Sequence, residues 1–379
     1  MCNQTLQDAL ALLRPGDTIA TAAYFHEPQA FLSRLHLAAA EVEDLSIWTA
    51  NVMGDYPIMG AECDKIHWLS SFYDRKARAA HPKKQVTYYP SDLHVTGAMM
   101  VEAKRPTVFV AAVPPMDPDG TYCVSTSLQW ESECAAAADR IILEVNPAIP
   151  HADSSLRIPR ERVACAYEVH DPLLVLRYTG EITPEEAAIG GYVSELIHDG
   201  DCVQFGLGGT PSAVAAALTD KHDLGIHTEM LGNAMINLIR SGAVTNRRKT
   251  LHPGKTVCAF FLGDEDAVDF LENTPDVMFR PAAYTNHPAT IARNENMVSV
   301  NTTCRWTCWA RSLQNPSAAA SIPAPAGPWT LPTAPTMPPT AAPSSPSMPP
   351  PRAAACPASA RPCPSAALCP FPGTSWITW

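Results

Sequence analysis

Beyond Thr302 the 379-residue chain contains no aspartate, glutamate, lysine, histidine, valine or tyrosine. A stretch so poor in charge and β-formers cannot build an ordinary solvated domain surface over a core. Before that point other absences are informative. No apolar run reaches the ~18 residues of a membrane span, and no basic-then-apolar leader opens the chain. The expected location is therefore cytoplasmic, with no membrane partner. The seven cysteines of the first 302 residues are scattered singly without a C-x-x-C. That pattern speaks against disulfides or zinc and for buried thiols in a reducing compartment. No set of histidine, aspartate and glutamate has metal spacing, so no metal site is expected. A formal charge of −11 argues against nucleic acid or an anionic membrane as the main partner.

Residues 5–302 read as an α/β protein. Thr18–Ala23, Leu45–Ala50, Thr107–Val113, Arg140–Val145 and Thr256–Leu262 are short apolar runs without alternation. A sheet covered on both faces requires that pattern. Helical stretches lie between them, at residues 5–13 and about 128–138, which predicts open, mostly parallel sheets. A second domain is expected to open at Thr183-Pro184-Glu185-Glu186. Thr183 is placed to cap, Glu186 to return the capping bond, and Pro184 to sit at the first helical position. The expected division is 1–180, 181–302 and 303–379.

Chemistry concentrates at Gly206-Leu207-Gly208-Gly209-Thr210-Pro211, which follows the strand Cys202–Phe205, and at Glu229, 23 residues after Gly206. A glycine turn between strand and helix lets backbone N–H groups approach an anion or a thioester. In an open parallel sheet, ligands bind at the carboxyl edge, where this turn and Glu229 would meet. Three readings stay open on the residues alone. The turn can be mere packing. It can be a dinucleotide site with Glu229 on a ribose, although Pro211 stands where the third glycine belongs. It can also hold a thioester beside an attacking carboxylate. A helix N-terminal carboxylate is the plain alternative for Glu229. His227 could orient the Glu229 carboxylate but reads more readily as an ordinary structural histidine, and Phe25-His26-Glu27-Pro28 reads as a loop with an option on the acyl pocket. Lys249, His252 and Lys255 read as loop positives that could reach phosphates.

Taken together, Pro114-Pro115-x-Asp117-x-x-Gly120, Glu144-Val145-Asn146, Gly206-Leu207-Gly208-Gly209, His227-Thr228-Glu229-Met230, Lys249 to Lys255 and Met297 to Asn301 resemble the acetyl-CoA hydrolase/transferase family in order and spacing. Within it, the resemblance is to 4-hydroxybutyrate and butyryl-CoA:acetate CoA-transferases. It implies a two-domain CoA-transferase-like fold and a ping-pong transfer of coenzyme A from an acyl-CoA to a short-chain carboxylate. Glu229 would be the nucleophile, and Gly206, Leu207, Gly208, Gly209 and Thr210 would contact coenzyme A. Coenzyme A is then a substrate, with no permanently bound cofactor, and a homo-oligomer is compatible. Hydrolysis on the same scaffold, or a noncatalytic nucleotide-binding role, are the alternatives.

The tail from Thr303 holds eighteen prolines, five of the eight tryptophans and five cysteines. It reads either as an irregular Pro/Ala/Ser tail or as a displaced reading frame. Cys304–Arg311 can be encoded so that a two-base offset gives Leu-Gln-Val-Asp-Leu-Leu-Gly-Gln. The same offset turns Gly373–Trp379 into Arg-Asn-Ile-Val-Asp-Tyr-Val. Both phrases are similar to the resembled family, so the frameshift is the expectation. An incomplete second domain would follow, exposing apolar surface over Val257–Leu262 and Val298–Val300.

Overall fold

The computed structural model describes residues 4–59, 65–177 and 181–302. It also describes the backbone of four short strands at 305–306, 312–313, 367–368 and 374–378. Fifteen strands precede Thr302: β1 (Thr18–Thr21), β2 (Leu45–Trp48), β3 (Ile66–Ser70), β4 (Val86–Tyr88), β5 (Val108–Val113), β6 (Thr121–Cys123), β7 (Arg140–Val145), β8 (Asp153–Ser154), β9 (Arg157–Pro159), β10 (Val163–Glu168), β11 (Cys202–Phe205), β12 (Gly225–Leu231), β13 (Thr256–Phe261), β14 (Val277–Phe279) and β15 (Met297–Asn301).

Two sheets take up thirteen of them, while β6 pairs with β9 in a separate antiparallel ladder. The first is seven-stranded in the order β10-β7-β5-β1-β2-β3-β4, and all its pairings are parallel. The second runs β15-β11-β12-β13-β14-β8, again parallel throughout. Its last strand, β8, comes from the first half of the chain. At the β15 edge the backbone of Thr374–Thr378 adds one more parallel strand. The expected mostly parallel α/β architecture is what the chain forms. The reason is visible in β5 and β13, both buried along their whole length, as runs such as Val108–Val113 require.

Several expected boundaries shift. The first helix covers only Leu6–Leu10, and the helix expected at about 128–138 starts later, at Glu131–Ala137. The Pro184–Ser194 helix opens as expected. Thr183 Oγ1 accepts from the Glu186 N–H and a Glu186 carboxylate oxygen accepts from the Thr183 N–H.

Residues 124–130, part of which was expected to be helical, instead cross to the second sheet. The Leu128 N–H donates to the Ala259 carbonyl, and the Phe261 N–H to that of Thr126, both at 2.9 Å. Tyr24 stacks on Phe260 at 5.0 Å, and Phe25 meets Phe261 edge-on at 5.2 Å. One apolar cluster therefore runs through both sheets, from Trp48 and Val113 to Phe261 and Val300.

This crossing corrects the expectation of exposed apolar strands. Val257, Phe261 and Val300 are fully buried, and Leu262 and Val298 nearly so. β13 is flanked by β12 and β14 and covered from the first half of the chain, while β15 lies between β11 and Thr374–Thr378. The tail at 303–379 otherwise lies outside the described residues.

Candidate active site

Both sheets present their carboxyl edges to one cavity of about 190 Å³. From the first sheet come Tyr24 after β1, Asn51 after β2, and Ser71 and Phe72 after β3. From the second come Gly206 and Leu207 after β11, Glu229 and Met230 on β12, Phe260 on β13, and Asn301 with Thr302 at the end of β15. In the second sheet the strand order reverses between β11 and β15. That reversal opens a crevice at the carboxyl ends, the place where open α/β sheets bind ligands.

Among the described residues, Glu229 is the only one in the cavity wall that carries a formal charge. It sits near the carboxyl end of β12, flanked by the β13 pairings Thr228↔Cys258 and Met230↔Phe260. It is therefore a strand residue, and the helix N-terminal alternative does not apply. Asn286 donates from Nδ2 to Glu229 Oε2 at 2.7 Å. Burial pushes the carboxyl up to about 7, partly opposed by the Asn286 bond. No salt-bridge partner lies within reach of it among the described residues.

The turn after β11 needs its glycines for different reasons. Gly208 has φ +128°, a conformation glycine alone adopts readily, and it starts the helix Gly209–Ala216. A side chain at Gly206 would collide with Asn301 Oδ1, so glycine here lets the end of β15 close against the turn. A Cβ at Gly209 would collide with the Glu186 carboxylate. Gly206 and Leu207 line the cavity. With Gly208 they also line a second, largely apolar groove bounded by Pro211, Met230 and Leu238. Gly209 and Thr210 line neither hollow.

His227 is fully buried and its Nε2 donates to the Thr285 carbonyl at 2.8 Å, so it does not touch Glu229 directly. It holds the peptide preceding Asn286, the residue that does. Burial drives its imidazole down to about 3, leaving it neutral. Lys249 is no phosphate contact: it is buried, and Nζ donates to the Ile226 and Lys255 carbonyls at 2.7 and 2.6 Å. His252 is engaged by the Tyr284 hydroxyl, and Lys255 by Asp276. Of the Phe25–Pro28 loop, none reaches the cavity; His26 is buried between the Ala112 carbonyl and the Thr126 N–H.

Sequence reasoning missed Asn51, Asn286, Gln129, Gln204 and Asn301. Gln204, Ser299 and Asn301 form one buried amide–hydroxyl network on neighbouring strands beneath the glycine turn. Polar residues inside otherwise apolar strands were its one available signal. Among the described residues, no helix is long and apolar enough to cross a membrane, and no three metal-binding side chains gather.

The fold and site define a class: an α/β protein of two mostly parallel sheets with a carboxylate at a switch-point cavity. The comparisons make that class specific. A sequence model described as the acetyl-CoA hydrolase/transferase C-terminal domain matches residues 263–315. The succinyl-CoA:cyclohexane-1-carboxylate CoA transferase of Geobacter metallireducens is 34% identical over 296 residues, 78% of this chain and 68% of that protein. The 4-hydroxybutyrate coenzyme A transferase of Clostridium kluyveri is 36% identical over 204 residues, 53% of this chain and 47% of that one. The crystal structure of RipA from Yersinia pestis superposes with a TM-score of 0.76 at 32% identity, covering 80% of this chain and 73% of that one. The chain belongs to the acetyl-CoA hydrolase/transferase family.

Proposed function

We propose that this protein transfers coenzyme A from an acyl-CoA to a short-chain carboxylate, of the acetate, butyrate or 4-hydroxybutyrate class, with Glu229 as nucleophile. One observation carries the reading: among the described residues, Glu229 is the single charged group in the wall of the cavity shared by both sheets. The family's named transferases supply the reaction class.

The chemistry follows from a carboxylate beside an activated ester. An ionised Glu229 oxygen attacks the thioester carbonyl carbon, and the departing sulfur leaves as coenzyme A thiolate, giving a mixed anhydride. The thiolate then attacks the glutamyl carbonyl, releasing the first acid and leaving a glutamyl-CoA thioester. An incoming carboxylate reverses both steps and departs as the new acyl-CoA. Coenzyme A is placed along the groove beside Gly206, Leu207 and Gly208, which opens next to the cavity and shares Phe205 and Met230 with it. The apolar cavity wall of Phe72, Leu93, Trp130 and Phe260 keeps water from the anhydride. Cys123, Cys134, Cys202 and Cys258 are buried thiols, which suits a reducing cytoplasm.

The test is an exchange assay with butyryl-CoA and isotopically labelled acetate. Labelled acetyl-CoA forming in step with loss of butyryl-CoA supports transfer. Free coenzyme A at a rate independent of acetate would make the protein a hydrolase, and no turnover of either kind would contradict the reading.

A further inference from the structure

The cavity contains a second feature that neither the fold nor the nucleophile accounts for. Gln129 is 4% exposed and lines the same cavity as Glu229, yet its Nε2 has no hydrogen-bond partner. A buried amide donor without an acceptor costs about 1–3 kcal/mol. Such a group persists where a ligand completes it.

The surroundings of Gln129 are rigid. Its own N–H and that of Trp130 donate to Glu131 Oε2 at 2.5 and 2.9 Å. The Leu128 N–H is held by the Ala259 carbonyl, and the Trp130 indole by the Thr21 carbonyl at 2.9 Å. Glu131 also takes the Ser127 hydroxyl and the Ala23 N–H, tying in the turn before Tyr24. The backbone around Gln129 is therefore fixed, and the residue forms part of the cavity wall.

Its position relative to the nucleophile is set by the second sheet. Leu128 pairs with Ala259 on β13, and Glu229 lies on the other side of the same strand, on β12. Two strand spacings put the two backbones about 9–10 Å apart. Both residues belong to the wall of the same cavity.

We propose that Gln129 is a further catalytic residue, its Nε2 donating to the carbonyl oxygen of the bound acyl group. This rests on the transferase reading above. As a Glu229 oxygen bonds to the carbonyl carbon, the C=O π pair moves onto oxygen and the Gln129 N–H stabilises that charge. Collapse returns the pair and expels the thiolate, and Gln129 neither gains nor loses a proton. Because the donor is already desolvated and has no partner to give up, it loses no bond when the charge develops.

The experiment compares wild type, Gln129→Leu and Gln129→Asn in the butyryl-CoA:acetate exchange, with thermal melting of each ligand-free protein. Gln129→Leu keeps the volume and removes the donor. Its kcat is expected to fall on the order of 10²–10³-fold, the usual loss for one such donor. KM should change less than about threefold, and the melting temperature should hold or rise, since an unsatisfied buried amide has gone. Gln129→Asn, with a shorter amide, should recover part of kcat. A Gln129→Leu protein with kcat within threefold of wild type would overturn the assignment. So would one that melts well below wild type without recovery of kcat by Gln129→Asn, which marks a structural role. Wild-type turnover is read first: if wild type exchanges no acyl group, the transferase reading fails and takes this inference with it.

Discussion

The two halves of the molecule hold inward-facing glutamates in opposite ways, three of them fully buried and Glu229 partly so. In the first, Glu27 accepts from the Met53 and Gly54 N–H groups and the Tyr56 hydroxyl. Glu144 accepts from the Ala30 and Phe31 N–H groups at a helix start and from the Tyr167 hydroxyl. Glu131 accepts four such bonds. In the second half, Glu229 has one bond, from Asn286, and faces a cavity. Desolvation raises the pKa of all four carboxyls. Burial and a displaced pKa therefore do not distinguish a catalytic carboxylate here. What distinguishes Glu229 is the lack of donors around it and the space in front of it.

The sharpest break of that comparison is Glu229→Gln. Transferase kcat/KM should fall by on the order of 10³-fold or more, as loss of a nucleophile does. Its melting temperature at pH 8 should stay level or rise, because a partly desolvated charge with a single donor has gone. The converse holds for Glu131→Ala. Three N–H groups and a hydroxyl lose their acceptor, so chemical denaturation should show a loss of about 3 kcal/mol or more. Equal stability losses in the two variants would erase the distinction between the halves.

A gentler test uses pH. Glu229 must be ionised to attack, so kcat/KM should drop about tenfold per unit as pH falls below about 7. The stability effect has the opposite sense. A carboxyl raised to about 7 from 4.5 binds its proton more tightly in the folded chain than in the unfolded one. Its contribution is complete below about 4.5 and is lost as pH rises towards 7. Glu144, also raised to about 7, adds a share of the same sign. Melting curves across that window should therefore be flatter for Glu229→Gln than for wild type, without becoming flat.

The smallest effect should come from Lys255→Ala. Lys255 pairs with Asp276 on the surface, so KM for acyl-CoA should move less than about twofold and stability by no more than about 0.5 kcal/mol. A tenfold rise in KM would show that this loop reaches coenzyme A after all.

Much of this was legible in the residues. Apolar runs such as Val108–Val113 and Thr256–Phe261 announced buried parallel strands because nothing else buries both faces of so short a segment. Thr183 with Glu186, and the turn at Gly208, announced helix starts through local chemistry. What was not legible depends on contacts between distant positions. Gln129 looked like the first turn of an alanine-rich helix, since no local signal says that residues 124–130 will pair with β13. Asn286 has no spacing that points to Glu229, 57 residues away, and Lys249 gave no hint that it would turn inward onto two carbonyls. The displaced-frame reading of the tail stays a proposal of its own. It predicts that the gene's bases from codon 303 permit the offset codons, and bases that forbid them would remove it.

The most direct measurement is a peptide map of wild-type protein incubated with butyryl-CoA and then reduced with borohydride. The account predicts that the peptide containing Glu229, and no other, carries the reduced side chain left by a glutamyl thioester. Reduction at another carboxylate, or none while acyl exchange proceeds, would contradict it.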